Sequence, residues 1–234
     1  MEHKINLIFT NSLKTNAFDD INKFKIHHFP MIKIKANNIK PFNLSDYDYY
    51  VFTSQNSVEL FFDYPFVRVQ YEENIKAICA GLKTEKKLRY YGVSIAFCSS
   101  SPYSHDMINE LADKDFIKES KIALVVGDLV DYSKFEKLKK FAFIDKLEVY
   151  QTIKKTQYDK DLDLLLNKGN SITVFASPSS FDAFSKIYDS SITEIYSIGD
   201  TTSNHIKSKG FKVSTSKTQN FEALANQISN NYII

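Results

Sequence analysis

Glycine is scarce in this sequence, six in 234 residues, well below the roughly 7% usual in globular proteins. Neither G-x-G-x-x-G nor G-x-x-x-x-G-K-[ST] occurs, so loops that cradle nucleotide phosphates are not expected. Arginine is scarcer still, because Arg68 and Arg89 are the only two among 30 basic residues. Bidentate guanidinium forks are therefore few. Lysine is spread among 28 Asp and Glu rather than gathered in a stripe, so nucleic acid is not an expected partner. Two cysteines, Cys79 and Cys98, make neither a CxxC motif nor a disulfide framework, which fits a reducing compartment. The five histidines, at 3, 27, 28, 105 and 205, lack the spacing and Cys/Asp company of a metal site. Neither a metal nor an organic cofactor is expected. G-x-S-x-G is absent. No apolar run approaches the ~20 residues that span a bilayer, and MEHKINLIFTN has no signal-peptide apolar region. A cytoplasmic location without a membrane partner is the expectation.

What the chain does have is a core: hydrophobic residues make up 43%, with 19 Phe and 14 Tyr. That composition excludes a disordered or fibrous chain, and the length allows one large domain or two small ones. Short apolar, β-branched runs recur at Ile5–Phe9, Tyr49–Phe52, Ile75–Ala80, Val93–Phe97, Ile122–Val126, Leu147–Tyr150, Ile172–Phe175, Ile195–Ile198 and Phe211–Val213. They read as buried strands. Between most of them lie stretches with apolar residues three and four apart, such as Val58, Phe61 and Phe62, or Phe181, Phe184 and Ile187. Alternation of this kind predicts an α/β protein with parallel sheets.

The second half repeats the first. Lys4–Ile8 answers Lys121–Val125 at a shift of 117, Gly81, Thr84 and Gly92 answer Gly199, Thr202 and Gly210 at 118, and Phe52–Ser54 answers Phe175–Ser177 at 123. A duplicated unit predicts two similar lobes with a cleft between them as the default ligand site. Four strand-to-helix junctions share a Ser/Thr-rich composition: FTSQNSVELFF at 52–62, AGLKTEKKL at 80–88, FASPSSFDAF at 175–184 and IGDTTSNHI at 198–206. Each places backbone N–H groups and hydroxyls at a helix N-terminus, an arrangement that attracts anions. Taken singly, such residues are ordinary helix caps, with Ser177 then Pro178 reading as N-cap and first helical position. As two matched pairs they point to a ligand with several carboxylates or phosphates. Lys134, Lys137, Lys139 and Lys140 read as the wet face of a helix. Tyr150 closes an apolar run, where a tyrosine is ordinarily a core residue with a wet hydroxyl. His205, on a helix near Thr202, is within reach of the cleft or simply solvated.

In order and spacing, FTSQNSV, AGLKTEKKLRYYG, LEVYQT, FASPSSFDAF, IGDTTSNHIKSKGFKV and the terminal SKTQNFEALANQI resemble uroporphyrinogen-III synthases over nearly the whole chain. The resemblance implies two flavodoxin-like or Rossmann-like α/β lobes with parallel sheets, joined by a two-stranded connector, with a cleft between. One lobe would comprise residues 1–35 plus 156–234 and the other 38–152, with connectors near 35–38 and 152–156. It replaces the cut near residue 117 that a bare duplication suggests. It also implies a monomeric hydro-lyase of porphyrin biosynthesis acting on hydroxymethylbilane. By motif, Tyr150 would be the catalytic proton donor, and Ser54, Thr84, Ser177, Thr201 and Thr202 would bind the substrate. No metal or organic cofactor is implied.

Two positions depart from the family pattern. Where members often carry Arg after the first strand and after the Gly near mid-chain, this chain has Phe9-Thr10-Asn11-Ser12 and Gly127-Asp128-Leu129-Val130. Apart from the resemblance, a non-enzymatic two-lobed binder of a small polyanionic ligand would use the same duplicated architecture. A nucleotide- or flavin-dependent enzyme would need the Gly-rich loops that are missing.

Overall fold

The computed structural model describes residues 4–12, 15–19 and 23–232; His3 lies outside them. In chain order the strands are β1 (Ile5–Phe9), β2 (Phe24–His28), β3 (Ile32–Ala36), β4 (Tyr49–Phe52), β5 (Lys76–Ala80), β6 (Ser94–Ser99), β7 (Lys121–Gly127), β8 (Phe143–Lys154), β9 (Ser171–Phe175), β10 (Glu194–Ser197) and β11 (Ser214–Thr215). The helices are α1 (Gln55–Asp63), α2 (Pro65–Asn74), α3 (Gly81–Tyr90), α4 (Ser104–Ala112), α5 (Lys160–Asn167), α6 (Pro178–Ser185), α7 (Asp200–Ser208) and α8 (Phe221–Asn231). The chain divides into two compact units, Met1–Ile34 with Ile153–Ile234, and Lys35–Thr152.

Each unit is built on its own sheet. The discontinuous unit has the order β11-β10-β9-β1-β2; the other sheet has the order β3-β8-β7-β4-β5-β6, with β4 to β7 wholly in the continuous unit and β3 and β8 running across its boundaries at Ile34/Lys35 and Thr152/Ile153. All pairs from β4 to β8 and all pairs in the other sheet are parallel. Matched through the sequence repeat, β4, β5, β6, β7 and β8 correspond to β9, β10, β11, β1 and β2, and the two sheets then have the same strand order except for β3, which has no counterpart. The α/β expectation with parallel sheets is met. In both sheets the order reverses beside the first strand of the repeat, at β4/β7 and β9/β1. Ligands of open α/β sheets gather at the carboxyl ends of strands at such a switch point.

Both faces of each sheet are covered, as parallel sheets require. Along β7, Ile122, Leu124 and Val126 enter one core, while Ala123 and Val125 enter the other with Phe52, Val58, Phe61 and Phe62. In the other unit Leu7, Phe9, Ile172 and Val174 pack on one face and Ile8, Phe175, Phe181 and Phe184 on the opposite one. Burying each such side chain contributes about 1.5–3 kcal/mol before entropy is charged against it.

Three local expectations are corrected. Phe211–Val213 is not a strand: Phe211 and Val213 pack as an irregular segment against the core, and pairing begins at Ser214–Thr215. The Lys134–Lys140 stretch is exposed as expected but forms two short 3-10 turns, because only Phe135 and Leu138 are buried and give it no helical stripe. The run read as Leu147–Tyr150 extends to Phe143–Lys154, the added residues alternating between exposed and half-buried. β2 and β3 carried no buried run to reveal them, since His and Lys occupy their wetter positions.

Candidate functional site

In the continuous unit Tyr150, Ser54, Gly127 and Asp128 come together where β8 passes the carboxyl ends of β4 and β7, beside the switch point. Register explains how. Val126 pairs with Glu148 but Gly127 pairs with Tyr150, so β8 carries one extra residue there. Such a bulge re-aims side chains and is frequent near active sites. Val149 is core, and Tyr150, next to it in sequence, nevertheless packs against the same cluster. Gly127 is its seat, because a Cβ at that position would overlap the Tyr150 ring. The half-buried phenol lies within electrostatic reach of the Ser54 hydroxyl. Burial pushes its pKa above the usual value of about 10, with the Asp128 charge adding to the rise and the Ser54 hydroxyl opposing it.

Asp128 clamps the bulge from both sides. Its N–H donates to the Tyr150 carbonyl at 3.0 Å, and its Oδ1 accepts from the Thr152 N–H at 2.9 Å. Neither Gly127 nor Asp128 was singled out as a functional residue from sequence. An isolated glycine at a strand end, as in VVGD, is the available signal for close approach of another group.

Ser54 and Ser177 occupy equivalent junctions with the same backbone, φ −155°, ψ 155° and φ −153°, ψ 154°. Each side chain accepts from the N–H three residues on, Ser57 or Ser180, at 3.2 Å. Ser57 and Ser180 in turn donate to the carbonyls of Ser54 and Ser177 at 2.8 Å. These hydroxyls therefore cap their own helices, which takes up one of the N–H groups expected to be free. The other junction pair differs. α3 and α7 start after Ala80 and Gly199 with no side-chain cap hydrogen bond. Gly81 has φ +74°, which favours glycine, and a Cβ on it would lie 2.9 Å from the Pro102 Cα.

Thr84 and Thr202 sit in corresponding first turns and are only 4% and 3% exposed. Thr201 is exposed. His205 is tied to its own unit: its ring Nε2 lies 2.6 Å from Asp182 Oδ1, and Lys154 reaches Asp182 Oδ2 at 3.0 Å. Burial favours the neutral Asp182 acid, but those two hydrogen bonds outweigh it and hold the carboxyl below its ordinary value. In the same unit a cavity of about 370 Å³ is lined by Phe9, Thr15, Asn16, Asp19, Ile26 and His28. None of Ser177, Thr201 and Thr202 lines it. No group of three or more potential metal ligands occurs among the described residues. Nor, among those residues, is any helix long and apolar enough to cross a membrane.

A family model described as Uroporphyrinogen-III synthase HemD matches residues 21–226. No curated protein matches. Among solved structures, uroporphyrinogen-III synthetase from Helicobacter pylori is similar at 17% identity, over 98% of this chain and 100% of that one, with a TM-score of 0.72. A mutant uroporphyrinogen III synthase from the extremely thermophilic bacterium Thermus thermophilus is similar at 11% identity, over 97% and 98%, with a TM-score of 0.65. At these identities the likeness is one of fold.

Proposed function

Since the chain belongs to the uroporphyrinogen-III synthase family, we propose that it acts as a cyclising hydro-lyase. It closes hydroxymethylbilane, a linear tetrapyrrole with eight carboxylates, to uroporphyrinogen III, inverting the last pyrrole and releasing water. The observation that carries this reading onto particular residues is the seat of Tyr150. A bulge and a glycine hold its ring in place, and burial keeps its phenol protonated beyond the ordinary range.

In this reading Tyr150 donates a proton to the departing hydroxyl, which must lie within ~2.6–3.2 Å, directly or through one water. Loss of water leaves an azafulvene cation. The substituted carbon of the last ring attacks it, and the resulting spiro intermediate fragments and recloses in the inverted sense. Ser54 orients the phenol. The uncapped first turns of α3 and α7, with Thr84, Thr201 and Thr202, bind substrate carboxylates, and Ser177 holds the matching junction of α6. A carboxylate at a helix N-terminus gains ~0.3–1 kcal/mol, and up to ~2 where partly buried. Holding the reacting ends together can lower an intramolecular barrier by about 7–11 kcal/mol in favourable cases, so positioning outweighs any single contact. A monomeric, cytoplasmic enzyme belongs to the same proposal.

The test supplies freshly generated hydroxymethylbilane and separates the type III from the type I isomer. Formation of type III above an enzyme-free control is expected. Formation of type I alone, at the spontaneous rate, would overturn the assignment.

A further inference from the structure

The two cysteines, which make neither a CxxC motif nor a disulfide framework in the sequence, occupy one register position: Cys79 of β5 pairs with Cys98 of β6. Both side chains meet the same core layer, so they project to the same face of the sheet. Neighbouring strands lie ~4.7–4.9 Å apart, inside the ~4.4–6.8 Å between Cα atoms that a disulfide spans. The two thiols are electrostatic neighbours, each shifting the other's titration. Cys98 Sγ also lies 3.4 Å from the Ser99 carbonyl oxygen, and the Glu85 carboxylate is near enough to raise the pKa of its thiol. Glu85 is held in turn by Arg89, through Nε at 2.8 Å and Nη2 at 2.6 Å.

Access is unequal, since Cys79 is buried and Cys98 partly exposed. β6 is also the edge strand of its sheet, so it can close on β5 without parting from a second neighbour.

We propose that Cys79 and Cys98 are a redox-modification site that closes a reversible intramolecular disulfide under oxidation by a hydroperoxide. The Cys98 sulfur attacks the peroxide, the O–O bond breaks, and with hydrogen peroxide the products are the Cys98 sulfenic acid and one water. The Cys79 sulfur then attacks the sulfenic sulfur, forming the S–S bond and releasing a second water. Two thiols are oxidised and one peroxide is reduced. Burial raises both thiols above their ordinary pKa, which keeps the thiolate scarce near neutrality and the reaction slow. The pair therefore answers sustained rather than brief exposure. The bond would lie at the carboxyl end of β5, directly ahead of Ala80, Gly81 and the first turn of α3 that carries Thr84.

The full-length protein is incubated with hydrogen peroxide, denatured, alkylated and digested for mass spectrometry. Both thiols are expected to lose alkylation in step, a Cys79–Cys98 linked peptide to appear within one chain, and dithiothreitol to restore both. In Cys79→Ala the Cys98 sulfenic acid has no partner, so its capture by dimedone should rise several-fold over the unsubstituted protein. Cys98→Ser changes only the partly exposed member and should leave Cys79 fully alkylatable. Linkage only between two chains, over-oxidation of Cys98 while Cys79 stays alkylatable, or equally rapid loss of Cys79 in Cys98→Ser would overturn the proposal.

Discussion

Replacing Tyr150 with Phe removes the hydroxyl but leaves a ring on Gly127, so geometry and acid function separate at this one residue. Tyr150→Phe is expected to lower kcat by tenfold or more with KM little changed, measured by type III formation; an unchanged kcat removes the acid role. The phenol works in its protonated form and its pKa lies above the usual value, so activity falls only as pH rises through that raised pKa. Asp128→Asn keeps an oxygen acceptor for the Thr152 N–H but deletes the charge that adds to the rise. Its alkaline limb should therefore move to lower pH in a kcat profile. Thr202 is buried in the first turn of α7; Thr202→Val preserves shape and should raise KM several-fold, whereas an unaltered KM would remove it from carboxylate binding. Tyr150 and the threonines were nominated by their place in motifs, and the packing around Tyr150 is what the structure adds. The contacts of Gly127 and Asp128 with Tyr150 and its strand were not legible, because they depend on a ring delivered by a different strand.

Helix starts were the most legible elements, since a cap is written within a few residues of the helix it begins. Ser54 and Ser177 cap α1 and α6 with matching geometry. Ser54→Ala and Ser177→Ala should each cost about 1 kcal/mol of stability, measured by urea unfolding at constant m-value. Comparable losses at the two sites would express the duplication energetically, because the same hydrogen bond is removed from the same local fold. Ser54→Ala should lower turnover as well, because the Ser54 hydroxyl acts on the Tyr150 phenol. Edge and irregular elements were less legible. β2 and β3 border their sheets, where one side of the strand faces water and the continuous apolar run of a central strand is not required. Phe211 and Val213 are apolar because they pack, not because they pair. The bulge in β8 left no periodic signal, since one extra residue alters only which partner each side chain meets.

At the scale of the molecule, the continuous unit has a complete sheet interior with a core on each face, whereas the other unit is assembled from two chain segments. A fragment Lys35–Thr152 is accordingly expected to fold alone with a cooperative urea transition. The second unit should need a linker joining Ile34 to Ile153; a fragment 35–152 without cooperative unfolding would show that its two cores are not self-sufficient. The sequence by itself determined the alternation of buried strands and amphipathic helices, the duplication and the capped junctions, because each depends on residues close together or on a pattern repeated intact. Only the tertiary structure decided that Tyr150 rests on Gly127 and that Cys79 lies against Cys98. Those neighbours are set by strand order, register and a single inserted residue, and sheet pairing joins segments whose separation along the chain leaves no local trace.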